Sequence, residues 1–157
     1  MAAGAWIIFD QFVDKLGDGS LTLGSDIFRC SLYTSAANLS AGANSALSIF
    51  NSVTGEIADG NGYSTSGKTL SATTWGAGAS GGVRRFDSTA VFWSANGGNI
   101  ANIKFAVIWA SAAASANRAL VAYSTLSTSQ FTLSDGNRLT VTPSANGIFE
   151  TTKTPAA

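Results

Sequence analysis

Gly62-Tyr63-Ser64-Thr65-Ser66-Gly67-Lys68-Thr69 fits the phosphate-loop pattern G-x-x-x-x-G-K-[ST] at every position. In a working loop of that kind, backbone N–H groups wrap the phosphates, the lysine reaches the outer ones and the hydroxyl holds magnesium. Such a loop leaves a buried apolar strand and opens a helix. Here the polar run Glu56 to Asn61 precedes it, and Leu70-Ser71-Ala72-Thr73-Thr74-Trp75 follows, which leans towards β structure. The apolar run ending at Ala110 is followed by Ser111, not by the aspartate that would hold magnesium. The context predicts a glycine-rich turn entering a strand, with no nucleotide cofactor. Gly76-Ala77-Gly78-Ala79-Ser80-Gly81 fits G-x-G-x-x-G, but a strand-like segment, Val83 to Asp87, stands where a dinucleotide site needs a helix.

Other groups that could do chemistry are sparse. Asp10 and Asp14 stand four apart and could pair as acid and base, but two carboxylates so spaced are far more often just a solvated helix face. Asp14, Asp18 and Asp26 lack the alternate-residue spacing of a calcium loop. Arg84-Arg85 is the one adjacent basic pair and reads as part of an exposed strand. Trp75, Trp93 and Trp109 would make a sugar-stacking platform if they faced solvent, but each sits among alternating apolar residues, which favours core packing. Asn38-Leu39-Ser40 is a glycosylation sequon without an expected secretion route.

The composition narrows the field further. The 157 residues contain no histidine and a single cysteine, Cys30, which excludes Ser-His-Asp and Cys-His sites, imidazole–zinc sites and an internal disulfide. Nine Lys+Arg balance nine Asp+Glu, so the chain offers no basic footprint for nucleic acid. Met1 to Trp6 carries no positive charge, so no signal peptide is expected. The longest apolar run, Phe105 to Ala110, is too short for a membrane-spanning helix. One domain with an ordered core is the expectation at this length.

The elements that must carry these residues are mostly strands. Trp6, Phe9, Phe12, Val13 and Leu16 recur at spacings of three and four, which predicts an amphipathic helix over 5–16 with Gly17 just past its end. Phe28, Cys30 and Leu32 alternate with Arg29 and Ser31 in a half-buried strand. A long polar connection follows over 34–66, with a short helical turn from Ala46 to Phe50. Strand-like runs then occur at 68–75, 83–87, 90–94, 103–110, 119–126, 130–134, 138–142 and 147–152. The Ala-rich piece Ala110 to Ala119 reads as a loop between two of them. Asp135-Gly136-Asn137, flanked by alternating apolar residues on both arms, is the clearest hairpin signal. The expected fold is mainly β, an antiparallel β-sandwich or flattened barrel with one N-terminal α-helix.

Residues around the phosphate-loop look-alike carry a resemblance. Glu56-Ile57-Ala58-Asp59-Gly60-Asn61-Gly62-Tyr63, followed by Gly67-Lys68-Thr69-Leu70, resembles a segment of small virion proteins of tailed bacteriophages. There the form is N-E-V/I-A-x-G-N-G-Y, a few polar residues, then G-x-x-L. The opening to Leu16-Gly17-Asp18-Gly19, the strand Phe28 to Ser35, Phe86-Asp87 with Val91-Phe92-Trp93-Ser94, and Phe105 to Trp109 follow in the same order. Leu120 to Tyr123, Asp135-Gly136-Asn137 and Gly147-Ile148-Phe149 complete it, so the likeness runs from about residue 5 to 150. The Ala/Ser-rich 110–117 and glycine-rich 76–82 depart from that pattern.

The resemblance implies an antiparallel β fold and a non-enzymatic virion structural protein, assembled in the host bacterial cytoplasm. A capsid decoration (cement) protein suits its size; a tail or tail-tip component, or a virion-displayed carbohydrate-binding module, are the alternatives. The implied partners are the major capsid protein or other virion proteins and further copies of the chain, with no nucleic acid, membrane or cofactor. Trp6, Ile7, Ile8 and Phe9 exceed a single apolar stripe, which marks them as the candidate partner contact. A Ser/Thr/Ala-rich neutral surface favours such contacts, because burying hydroxyls and methyls costs far less than burying charges.

Overall fold

The computed structural model of the chain describes residues 4–39, 47–111 and 118–152. It opens with strand β1 (Trp6–Ile8), helix α1 (Asp10–Gly17) and strand β2 (Phe28–Tyr33). After a 3-10 turn at Phe50–Ser52 come β3 (Lys68–Thr69), β4 (Thr74–Ala77), β5 (Val83–Asp87), β6 (Val91–Ser94) and β7 (Ile100–Ile103). The chain continues through β8 (Phe105–Ala110), β9 (Leu120–Thr125), β10 (Phe131–Leu133), β11 (Arg138–Val141) and β12 (Phe149–Thr152). Every strand pairing is antiparallel. The expected mainly-β, sandwich-like class with one helix near the N-terminus is what the chain adopts.

One sheet, in the order β1-β9-β8-β2-β3, is the backbone of the fold. Its centre is β8, whose six residues FAVIWA are all buried. An uninterrupted apolar strand is what covering on both faces demands. The smaller sheets β12-β5-β4, β11-β6 and β10-β7 complete the molecule. Aromatic contacts tie the layers: Phe28 of β2 meets Phe86 of β5 edge-on at 4.8 Å, and Phe12 of α1 meets Phe149 of β12 at 5.2 Å. Trp109 is buried in β8 and donates its Nε1–H to the buried hydroxyl of Ser31 at 2.9 Å.

Several expectations require correction. The helix does not start at residue 5: Trp6–Ile8 is a strand paired with β9, and α1 begins only at Asp10. Two adjacent β-branched residues after a tryptophan favour extended backbone, and pairing with β9 satisfies it. Phe9, with φ −72° and ψ 140°, is the extended residue that caps the helix. Within the helix, Val13 is not on the buried stripe but 63% exposed, while Phe12 is buried. At its end, Gly19 rather than Gly17 takes the left-handed conformation, with φ +76°.

The Asp135-Gly136-Asn137 turn forms, with Asn137 N–H donating to Ser134 O at 3.0 Å, yet its arms do not pair with each other. β10 pairs with β7 and β11 with β6. The turn is a corner between sheets, matched by the Ala95–Asn99 connection that joins β6 to β7. The two corners interlock: Ala95 N–H donates to Asn137 O at 2.9 Å and Gly136 N–H to Ala95 O at 3.0 Å. Local turn chemistry cannot reveal which partner each arm will find.

The strand expected over 68–75 is two strands, interrupted near Ala72, which sits at φ +50°. The run expected over 103–110 is divided at Lys104: Ile103 closes β7, an additional strand that holds Asn102 at φ +63°, and β8 opens at Phe105. Within 34–66, the helical turn lies at Phe50–Ser52, and Ala46 and residues 112–117 of the Ala-rich loop fall outside the described residues.

Candidate functional site

The two motif-like segments are the places to begin. Glu56 runs beside the end of β2, where Tyr33 and Glu56 form a bridge and Ile57 N–H donates to Leu32 O at 3.0 Å. From there the chain loops out and returns to β2 as β3. The half-buried Glu56 carboxylate accepts the Tyr63 hydroxyl at 2.7 Å and the Ser66 N–H at 2.6 Å. Asp59 accepts the Thr65 N–H at 2.6 Å and its hydroxyl at 3.1 Å. Arg29 closes the loop from outside, donating Nε–H to Ser66 O at 2.8 Å and an Nη2–H to Gly67 O at 2.7 Å.

This loop has no cradle for phosphate. Gly62 (φ +91°) and Gly67 (φ +61°) are glycines because a Cβ would collide with the carbonyl oxygens of Ser94 and Cys30 respectively. Both are pressed against backbone rather than lining an open anion nest. The chain then enters a strand at Lys68, as its sequence context predicts. Residues 76–81 likewise lie in the β4–β5 hairpin, where Gly78 N–H donates to Val83 O at 3.0 Å.

Burial raises the Glu56 pKa above its ordinary value, opposed by the hydrogen bonds from Tyr63 and Ser66. Burial and the neighbouring Glu56 carboxylate push the Tyr63 phenol up as well. Together these groups are a lock: Glu56 Oε1 takes both the Tyr63 hydroxyl and the Ser66 N–H, and the Tyr63 oxygen also accepts the Leu32 N–H. Cys30, fully buried in β2, has its thiol pushed up to about 12 by burial, which makes it a poor nucleophile.

The other candidates separate. Asp10 and Asp14 are both exposed on α1, Asp18 accepts the Ser20 N–H at 2.8 Å, and Asp26 accepts the Thr22 N–H at 2.7 Å. Arg84 is exposed on β5, and Arg85 donates to Ala145 O at 3.0 Å. Asn38 serves as a clamp, accepting the Thr54 N–H and donating to Ser52 O, each at 2.9 Å. Its sequon partner Ser40 lies outside the described residues. Trp93 and Trp109 are buried, and Trp75 packs against Phe149 at 6.1 Å, so the three do not make a solvent-facing platform.

Of the apolar contact set, Phe9 is wholly buried against Tyr123 at 5.4 Å, and Trp6 and Ile8 pack on the core. Only Ile7 is turned outward, 40% exposed, on an edge strand whose second side pairs with no described strand. No family model, curated protein or solved structure matches this chain.

A surface not singled out from the sequence lies just outside the lock. Phe92 on β6 is 41% exposed between two cations: the Arg138 guanidinium stacks 3.5 Å from its ring centre and the Lys68 ammonium stands 4.9 Å away. Thr140 of β11 lies directly opposite Phe92, so Arg138 is its diagonal neighbour on the outer face. Lys68, Thr69, Ser71, Ala90, Val91 and Phe92 line a hollow of about 240 Å³ beside them. The alternation Val91-Phe92-Trp93-Ser94 was a signal for an outward Phe92. Its cationic neighbours come from other strands.

Proposed function

We infer that this chain is a non-enzymatic structural protein of a bacteriophage particle, a capsid decoration protein that binds and stabilises the major capsid shell. The observation that carries the reading is the lock at Glu56, Tyr63 and Gly67. The residue types that carry the likeness to small virion proteins, E-I-A-D-G-N-G-Y and G-K-T-L, do architectural work here. Glu56 and Tyr63 bond each other, Gly62 and Gly67 admit backbone, and Leu70 N–H donates to Phe28 O at 2.8 Å. Such use of the pattern supports a structural role for these residues rather than a catalytic one.

A decoration protein works through complementary surface displayed in many copies, so modest contacts add by avidity. β1 suits that work: it is an edge strand, and edge strands pair readily with another chain. Ile7 supplies an outward apolar group there, so the candidate contact set Trp6, Ile7, Ile8 and Phe9 narrows to Ile7 and the free edge of β1.

The test is cosedimentation of purified protein with shells that lack it. Bound protein and a raised heat tolerance of the shell are expected, with binding weakened by Ile7→Lys. Density for the chain on the tail of intact particles, or its absence from them, would overturn the assignment.

A further inference from the structure

Four large apolar side chains are exposed among the described residues: Ile7, Val13, Ile27 and Phe92. Two of them each stand beside a pair of like charges, positive at one and negative at the other. Phe92 has both Lys68 and Arg138 against its ring. Val13 lies beside the exposed Asp10 and Asp14 on α1, about 60° and 100° around the axis from them, and the two carboxylates are one helical turn and ~6 Å apart along it. That spacing suits two cations 4.9 and 3.5 Å from the centre of one ring. Neither pair of charges makes an ion pair among the described residues. Lys15, the other charged residue of the helix, lies about 160° around the axis from Val13, on the far side from this face.

The two patches cannot meet within one molecule. Lys68 is on β3, at one edge of the five-stranded sheet, and α1 follows β1, at the other. Four inter-strand spacings separate those edges, ~19 Å.

We propose that the Lys68–Phe92–Arg138 face is a docking site for helix α1 of a second copy of this chain, Val13 resting on Phe92 and Asp10 and Asp14 meeting the two cations. The contact is head-to-tail, because it joins two different patches, and it therefore builds rings or chains rather than a two-fold dimer. Stacking on Phe92 holds the Arg138 guanidinium flat while leaving N–H groups at its edge for a carboxylate. A neutral chain with its charges segregated in this way attracts its own copies, most strongly at low salt.

This deepens the multi-copy reading of the particle protein, and its test uses purified full-length chain alone. Failure here leaves the shell cosedimentation, read at Ile7, unaffected. Sedimentation velocity at low salt is expected to show mass rising with concentration, and the rise weakening in ~1 M salt, where the screening length falls to ~3 Å. Arg138→Glu with Lys68→Glu removes the basic face; Asp10→Asn with Asp14→Asn removes the acidic one. Each double variant is expected to associate at least about tenfold more weakly than the parent. Mixed together, the two variants retain one complementary patch each, so they form a one-to-one pair and stop there. A parent chain that stays monomeric up to about 1 mM overturns the proposal. So does self-association that survives either variant, or loss that mixing does not restore. Thermal melts of each variant within a few degrees of the parent exclude misfolding as the cause.

Discussion

The Tyr63 hydroxyl donates to the Glu56 carboxylate at 2.7 Å, and the same oxygen accepts the Leu32 N–H at 3.0 Å. A single phenol thus joins a half-buried acid to the backbone of a core strand. The connection between β2 and β3 is held to the sheet through this relay.

Two tyrosines should respond oppositely to loss of the hydroxyl. Tyr63→Phe leaves the buried Leu32 N–H without an acceptor and is expected to cost about 1–3 kcal/mol. Tyr33 is wholly buried and its hydroxyl makes no hydrogen bond among the described residues. Tyr33→Phe is therefore expected to be neutral or stabilising, since it removes an unpaired buried polar atom. Urea denaturation of the two variants measures the contrast, and equal losses would contradict it.

Glu56 makes stability depend on pH with a definite sign. Its native pKa lies above the ordinary 4.5 because burial penalises the charge. The native state then binds the proton more tightly than the unfolded state. This group's contribution is fully present below pH 4.5 and is lost as pH rises through the native value. Glu56→Gln keeps an acceptor oxygen for Tyr63 and Ser66 without a charge to bury. Its melting temperature should gain on the parent's between pH 4.5 and neutrality. Glu56→Ala lacks the acceptor and should lose about 1–3 kcal/mol at any pH. A parent that instead gains on Glu56→Gln as pH rises would show the carboxylate to be favoured by its surroundings.

Glycine positions differ by what surrounds them. Gly67 has φ +61° and no room for a Cβ against the Cys30 carbonyl, so Gly67→Ala combines backbone strain with a collision. About 3 kcal/mol or more is expected, enough to lower Tm by ~6 °C or more. Gly97, with φ +80°, has open space around it, and Gly97→Ala should cost only about 1–2 kcal/mol. Calorimetry on both separates strain alone from strain with overlap.

Cys30 is buried, with its thiol pushed up to about 12. It should resist aromatic disulfide reagents at neutral pH until the chain unfolds, so labelling should follow denaturant in step with circular dichroism. Rapid labelling of native protein would contradict the burial of the thiol.

Much of the fold was legible before any coordinates. The alternation in Val83–Asp87, Val91–Ser94 and Arg138–Val141 placed those strands within a residue, because a period of two directly reports one buried face. The strand entered at Lys68, where a phosphate loop would open a helix, was also legible from the residues that follow it. The N-terminus misled: Trp6 and Phe9 fit a helical spacing by accident, and pairing with β9 overrode it. The Asp135-Gly136-Asn137 turn formed as expected, but its arms joined different sheets.

By itself, then, the sequence determined class, strand positions and the absence of histidine and disulfide chemistry, all of which depend on residue type and local period. Which strand pairs with which, and hence what stands beside Phe92, was decided only by tertiary structure. Lys68 reaches Phe92 because β3 pairs with β2, and Arg138 because β11 pairs with β6 in one register. Those pairings are chosen by burying Val91, Trp93, Leu139 and Val141 together in one core. That energy is cooperative and non-local, and no stretch of chain carries it alone.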